Sequence, residues 1–152
     1  MNDYIKFIYR DVGTFEELKH YLRKWTQKTY SSYRLAYLGF HGTPGKIHIG
    51  RQSITFDQLG QVLENRCANR ILYFASCLVL RAPSEEVAAF RSRTKAKAVV
   101  GYGKTVDWLE GLAFEALLID ALTRYAHIDA PFDYLEKNYG QLMRKLDLRW
   151  NW

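Results

Sequence analysis

Apolar and polar positions along this chain switch repeatedly between a period of two and a period near 3.6, the pattern of strands alternating with helices. Tyr4 to Tyr9 (YIKFIY) is built from strand formers around an apolar stripe and predicts a first strand. After Gly13, Thr14 and Glu17 have the spacing of a capping box, and Phe15, Leu18, Leu22 and Trp25 recur at helical intervals, predicting a helix to about Lys28. Leu35 to Phe40 (LAYLGF) is nearly all apolar, as a strand covered on both faces requires. Thr43-Pro44-Gly45 is turn chemistry, and the alternating Lys46 to Gly50 with Ser53-Ile54 predicts a small hairpin.

Further along, Thr55 caps a helix through Leu63, Ile71 to Ala75 (ILYFA) is a second buried strand, and Ser84 caps a helix to about Arg93 with acids in its first turn. Ala98 to Tyr102 (AVVGY) is a third buried strand. A long helix follows from Asp107 to about Ala126, with Trp108, Leu112, Leu118 and Leu122 as its expected core face. Pro131 opens a last helix to about Leu146, and the aromatic tail Arg149-Trp150-Asn151-Trp152 is expected to dock. The fold expected is α/β, a three-layer sandwich whose mainly parallel sheet has about four core strands plus a small hairpin. No repeat or linker interrupts it, so residues 1–152 are expected to form one domain.

Composition narrows the functional classes. At 152 residues, 48% apolar and 25% charged, the chain is long enough to bury a core without disulfides or a structural metal. Met1-Asn2-Asp3-Tyr4 has no basic leader character, and the most apolar stretch, Leu109 to Leu122, is cut by Glu110, Glu115 and Asp120. Two cysteines, Cys67 and Cys77, are too few for a disulfide framework. A cytoplasmic protein with no membrane partner is expected. The net charge of +6 raises nucleic-acid binding as an alternative. Residues 1–76 hold eleven Lys/Arg against six Asp/Glu, and residues 77–152 hold eleven against ten, so the excess lies in the first half. Its members are dispersed, which favours a solvated basic face.

In parallel sheets, functional groups collect beyond the carboxyl ends of strands. In this chain those ends carry His41-Gly42 and Ser76-Cys77. A thiol and an imidazole delivered by neighbouring strands would form a dyad in which a Cys77 thiolate attacks a carbonyl and His41 serves as acid and base. The amides of Gly42 and Cys77 would hold the oxyanion. The alternative is a buried structural thiol and a hydrogen-bonded strand end.

The order strand-His-Gly, hairpin, helix, strand-Ser-Cys resembles the caspase-like cysteine peptidases, including prokaryotic caspase-like and CHAT-type members. The matching segments are Tyr37 to Gly42 and Leu72 to Cys77, and Ala96 to Tyr102 looks like the next core strand of CHAT-type domains. The resemblance covers about residues 33–126 and implies a regulated endopeptidase, possessing no cofactor, that takes a peptide or protein substrate and an activating protein partner. It implies pocket roles for Arg10, Asp11 and Asp107. Many members carry a charged or amide residue two positions before the nucleophile, where this chain has Ala75. The competing class is a catalytically silent interaction module on the same fold.

Other motifs carry less. Ala98 to Thr105 matches a relaxed phosphate-loop pattern, but Val99 and Val100 would have to wrap the phosphate, and Asp120 falls in a helical pattern. Cys67, Cys77, His41 and His48 match no compact zinc spacing. Arg91, Arg93, Lys95 and Lys97 suit a helix C-terminus without any phosphate partner. The loops Leu78 to Ala82 and Gly103 to Val106 are expected to line the groove, the second with a glycine hinge.

Overall fold

The computed structural model of the chain describes residues 5–152. Its elements follow the alternation of the sequence: α1 (Phe15–Trp25), β1 (Leu35–Leu38), β2 (His41–Thr43), β3 (Lys46–Ile49), β4 (Gln52–Thr55), α2 (Phe56–Leu63), β5 (Ile71–Phe74), α3 (Ser84–Thr94), β6 (Ala98–Tyr102), α4 (Trp108–Arg124), α5 (Asp129–Leu146) and β7 (Leu148–Asn151). The main sheet has the order β1-β5-β6-β7, with the first three strands parallel and β7 antiparallel. The fold is therefore the expected three-layer α/β arrangement, with a second, three-stranded antiparallel sheet β2-β3-β4.

Period-two alternation divides the interior into two cores. Leu72 and Phe74 of β5 point to α1, α2, α3 and the small sheet, where Phe56 stacks on Phe90 at 4.7 Å. Ile71 and Tyr73 point the other way, against Phe114 and Leu118 of α4 and Leu135 and Met143 of α5. Every residue of β5 and β6 is buried, which explains their unbroken apolar character. Thr14 and Glu17 close the expected capping box at α1, and Thr55 and Gln58 close another at α2.

Four expectations are corrected. Residues 5–10 join no sheet and are exposed, Phe7 at 81%; Tyr4 lies outside the described residues. Their strand-forming side chains face β1 only across a cavity, so strand composition has no ladder to realise it. The fourth strand is instead the aromatic tail, where Asp147 in the left-handed region (φ 51°) reverses the chain directly from α5 into β7. Trp150 and Trp152 stack on Phe132 at 4.6 and 5.1 Å. The hairpin gains a third strand, because the chain breaks at Gly39-Phe40 and His41 opens β2. On α4 the buried face carries Gly111, Phe114, Leu118, Ala121 and Leu122, while Trp108 and Leu112 are exposed, since both lie off the stripe those residues form around the helix. At α3, Pro83 takes the cap position and Ser84 is the first helical residue.

Candidate active site

Because β1 and β5 are adjacent and parallel, with Leu38 opposite Phe74, the chain leaves the sheet at Gly39 to His41 and at Ala75 to Cys77 side by side. Ser76 ties these exits together. Its buried Oγ donates to the Leu38 carbonyl at 3.1 Å and accepts from the Phe40 N–H at 3.2 Å. Gly42 then lies directly on the second exit: a Cβ there would stand 2.4 Å from the Cys77 carbonyl oxygen and 2.5 Å from Val79 Cγ2. Only glycine permits that approach. The backbones of His41-Gly42 and Ser76-Cys77 are thus brought together.

Cys77 is half-buried, and its Sγ accepts from the Val106 N–H at 3.4 Å. The following residue, Leu78, adopts a left-handed conformation (φ 66°) that non-glycine residues rarely take. Its N–H is held by the Lys104 carbonyl at 3.2 Å. Such a turn directly after a strand-end thiol is local strain of the kind that functional sites retain. The Cys77 N–H makes no hydrogen bond to another described residue, the condition an oxyanion donor must meet.

The imidazoles are arranged by the pleat of the small sheet. Gly42 shares the covered face with Ile47 and Ile54, so His41 and His48 share the opposite one. His48 is fully engaged, with Nε2 against Thr43 Oγ1 and Nδ1 against Ser53 Oγ, both at 2.9 Å. His41 is exposed, and no hydrogen bond joins its ring to Cys77 or to another described residue. Of the two histidines, His41 alone keeps its ring nitrogens for other work.

The proposed pocket residues separate. Asp107 caps α4 through the Leu109 and Glu110 amides, at 3.0 and 3.1 Å. Ala75 is partly buried against the α4–α5 core. Arg10 donates to the neighbouring Tyr9 carbonyl and rests over the Tyr21 ring, and with Asp11 it lines the cavity beside β1. The two expected groove loops are ordered: Val79 to Arg81 forms a 3-10 turn with Val79 and Leu80 buried. Gly103 is clamped by Asp147 and Arg149, its N–H bonding to the Asp147 carbonyl at 2.9 Å, an arrangement unlike a free hinge.

A polar network that the sequence did not signal lies on the α4 face of the same strand ends. Glu115 accepts from Tyr37 at 3.0 Å and from Tyr73 at 3.2 Å, and Tyr73 shares a 2.9 Å hydrogen bond with Tyr102. Its members lie on three strands and a helix, so no local motif marks them. Burial raises the Glu115 carboxyl above its ordinary range, against the opposing effect of the two phenols. A carboxyl raised on folding stabilises fully below its unfolded pKa and loses that contribution as pH rises through the raised value. Glu115→Gln should therefore gain stability relative to the native chain as pH rises from about 4 to about 7. Urea midpoints at both pH values check this, and parallel changes in the two chains would contradict it.

The remaining motifs have structural partners. Arg91 donates to Asn151 and the Ala96 carbonyl, Arg93 pairs with Asp57 at 2.8 Å and Glu64 at 3.3 Å, and Lys97 donates to the Ala126 carbonyl. Ala98 to Tyr102 is strand throughout, and Asp120 lies in α4, paired with Arg124 at 2.7 Å. Among the described residues, no group of three or more His, Cys, Asp or Glu is arranged to hold a metal ion, and no helix is long and apolar enough to cross a membrane.

A family model matches residues 1–152 of the chain. The chain belongs to the DUF6642 family, a family of unknown function. No curated protein matches it.

Proposed function

We propose that this chain is a caspase-like cysteine endopeptidase using Cys77 as nucleophile and His41 as acid and base. The observation that carries the reading is the packing of Gly42 on the Cys77 carbonyl, which holds the histidine-bearing and cysteine-bearing strand ends in contact. The left-handed Leu78 and the unengaged Cys77 N–H support it. In the proposed reaction His41 takes the Cys77 thiol proton, and the resulting thiolate forms a bond to the scissile carbonyl carbon. The oxyanion accepts from the Cys77 and Gly42 amides. As the tetrahedral intermediate collapses, the C–N bond breaks and His41 delivers a proton to the leaving amine. Water, deprotonated by His41, then attacks the thioester carbonyl, releasing the new carboxylate and restoring the thiol.

The exposed apolar surface of Trp108, Leu109 and Leu112 begins two residues beyond Val106, which touches the thiol. It provides the area that a peptide substrate or an activating protein needs beside the nucleophile. With Asp107 committed to its helix, this apolar surface is the better candidate for setting side-chain preference. Regulation and a cytoplasmic setting belong to the same proposal.

The test is covalent labelling. Burial pushes the Cys67 thiol up to about 12, whereas Cys77 is half-buried with its Sγ facing the Val106 amide. Alkylation near pH 8 should modify Cys77 alone in the folded chain, with Cys67 reacting only after unfolding. A peptide ketone should label Cys77, and His41→Ala should slow that reaction by about a hundredfold or more. Labelling at an unchanged rate in His41→Ala would instead favour a silent interaction module.

A further inference from the structure

We propose that the free edge of β1 is a docking groove for an extended polypeptide segment with an apolar centre and acidic flanks. The inference goes beyond the peptidase reading, because it concerns a site that would bind such a segment whether or not Cys77 cuts it. Among the described residues, β1 is the outermost strand of the main sheet and pairs only with β5. Its opposite edge faces a cavity of about 630 Å³ whose outer wall is the chain's own residues 5–12. No backbone hydrogen bond crosses from those residues to β1 among the described residues. Among the described residues, this strand of four, about 13 Å in length, therefore presents unpaired main-chain groups to that cavity.

The walls suit a polypeptide strand. Side chains of a docked strand would alternate between Tyr21, Leu22 and Trp25 of α1 on one side and Ile119 and Thr123 of α4 on the other. Phe7, Tyr9 and Tyr37, exposed at 81, 74 and 48%, add apolar surface along the opening. Such exposure is costly without a partner. Charge selects the flanks: Lys6, Arg10, Lys24 and Arg34 line the groove, against the single carboxylate of Asp11. This concentrates part of the first-half basic excess where acidic flanks of a bound segment would meet it. The unpaired main-chain edge favours a polypeptide over a nucleic acid, whose backbone has no matching ladder of donors and acceptors. The groove ends at Gly39 and Phe40, immediately before His41, so a docked segment would lie against the strand that positions it.

Binding is measured with the full Cys77→Ala chain, so that cleavage of the probe cannot obscure it. The probe is a fluorescein-labelled eight-residue peptide with four central Val/Ile positions and two Glu at each end. Saturable anisotropy is expected. It should weaken on the order of tenfold when alternate central amides are N-methylated, and similarly when the Glu are replaced by Lys. Arg34→Glu in the protein should weaken the Glu peptide and strengthen the Lys peptide, a reversal that misfolding would not produce. Binding indifferent to N-methylation would overturn the proposal. So would stronger binding of a single-stranded oligonucleotide of equal length, or exchange protection of the β1 amides by residues 5–9 in the free chain with no peptide uptake.

Discussion

Gly42→Ala is expected to unfold at a lower urea concentration, corresponding to a loss of about 3 kcal/mol, and to lose any Cys77-dependent turnover. The added methyl would stand 2.4 Å from the Cys77 carbonyl oxygen, 2.5 Å from Val79 Cγ2 and 3.1 Å from Ser76 Cβ. None of these atoms can swing aside. One is backbone, and Val79 and Ser76 are buried in the turn after β5. Relief requires the β2–β3 hairpin to lift away from the turn after β5, separating His41 from Cys77. Gly13→Ala is the matched control, since its methyl would meet only the flexible Glu17 carboxylate at 3.6 Å. It should change stability by less than about 0.5 kcal/mol. Equal unfolding midpoints for the two variants would remove the close approach as a structural requirement.

Arg70→Ala is the second large effect, expected at about 3 kcal/mol. Arg70 is a charged side chain only 6% exposed, and it holds the connection from α1 to β1. Its guanidinium donates to the Gln27, Tyr30 and Tyr33 carbonyls at 3.1 to 3.2 Å and lies 4.9 Å over the Trp25 ring. Trp25 in turn donates its indole N–H to Tyr33 at 2.6 Å. Truncation removes three charge-assisted hydrogen bonds that tie the Gln27–Tyr33 segment to the entry of β5, together with a cation–π contact. Arg70→Lys should recover only part of the loss, because an ammonium cannot reproduce a planar fork that reaches three carbonyls. Urea unfolding with Trp fluorescence measures both variants. Full rescue by Lys would show that charge alone, without the fork, suffices.

The legible parts of the fold are those whose signal is local. β5 and β6 were readable because burial on both faces demands unbroken apolar runs, and α1 because Thr14 and Glu17 satisfy each other's end of the helix. The adjacent, parallel β1 and β5, whose exits lead to His41 and Cys77, followed from the same reasoning. The parts that stayed hidden depend on distant partners. Ile5 to Tyr9 has the composition of a strand but no ladder, while Arg149 to Asn151, less clearly a strand, gains one by lying against β6. Trp108 and Leu112 fit a helical stripe, yet the buried face of α4 runs through Gly111, Phe114 and Leu118 instead. The Tyr37–Tyr73–Glu115 network joins residues up to 78 positions apart. Nothing about leucine announces the left-handed turn at Leu78, which is imposed by its surroundings.

A positional peptide-library digest by the native chain and by Cys77→Ala tests most directly the proposal that the Cys77 thiol cuts peptide bonds. The native chain should cleave with a reproducible side-chain preference beside the scissile bond, and Cys77→Ala should leave the library intact. Cleavage that is the same in both chains would contradict the assignment of Cys77 as nucleophile and, with it, the peptidase reading.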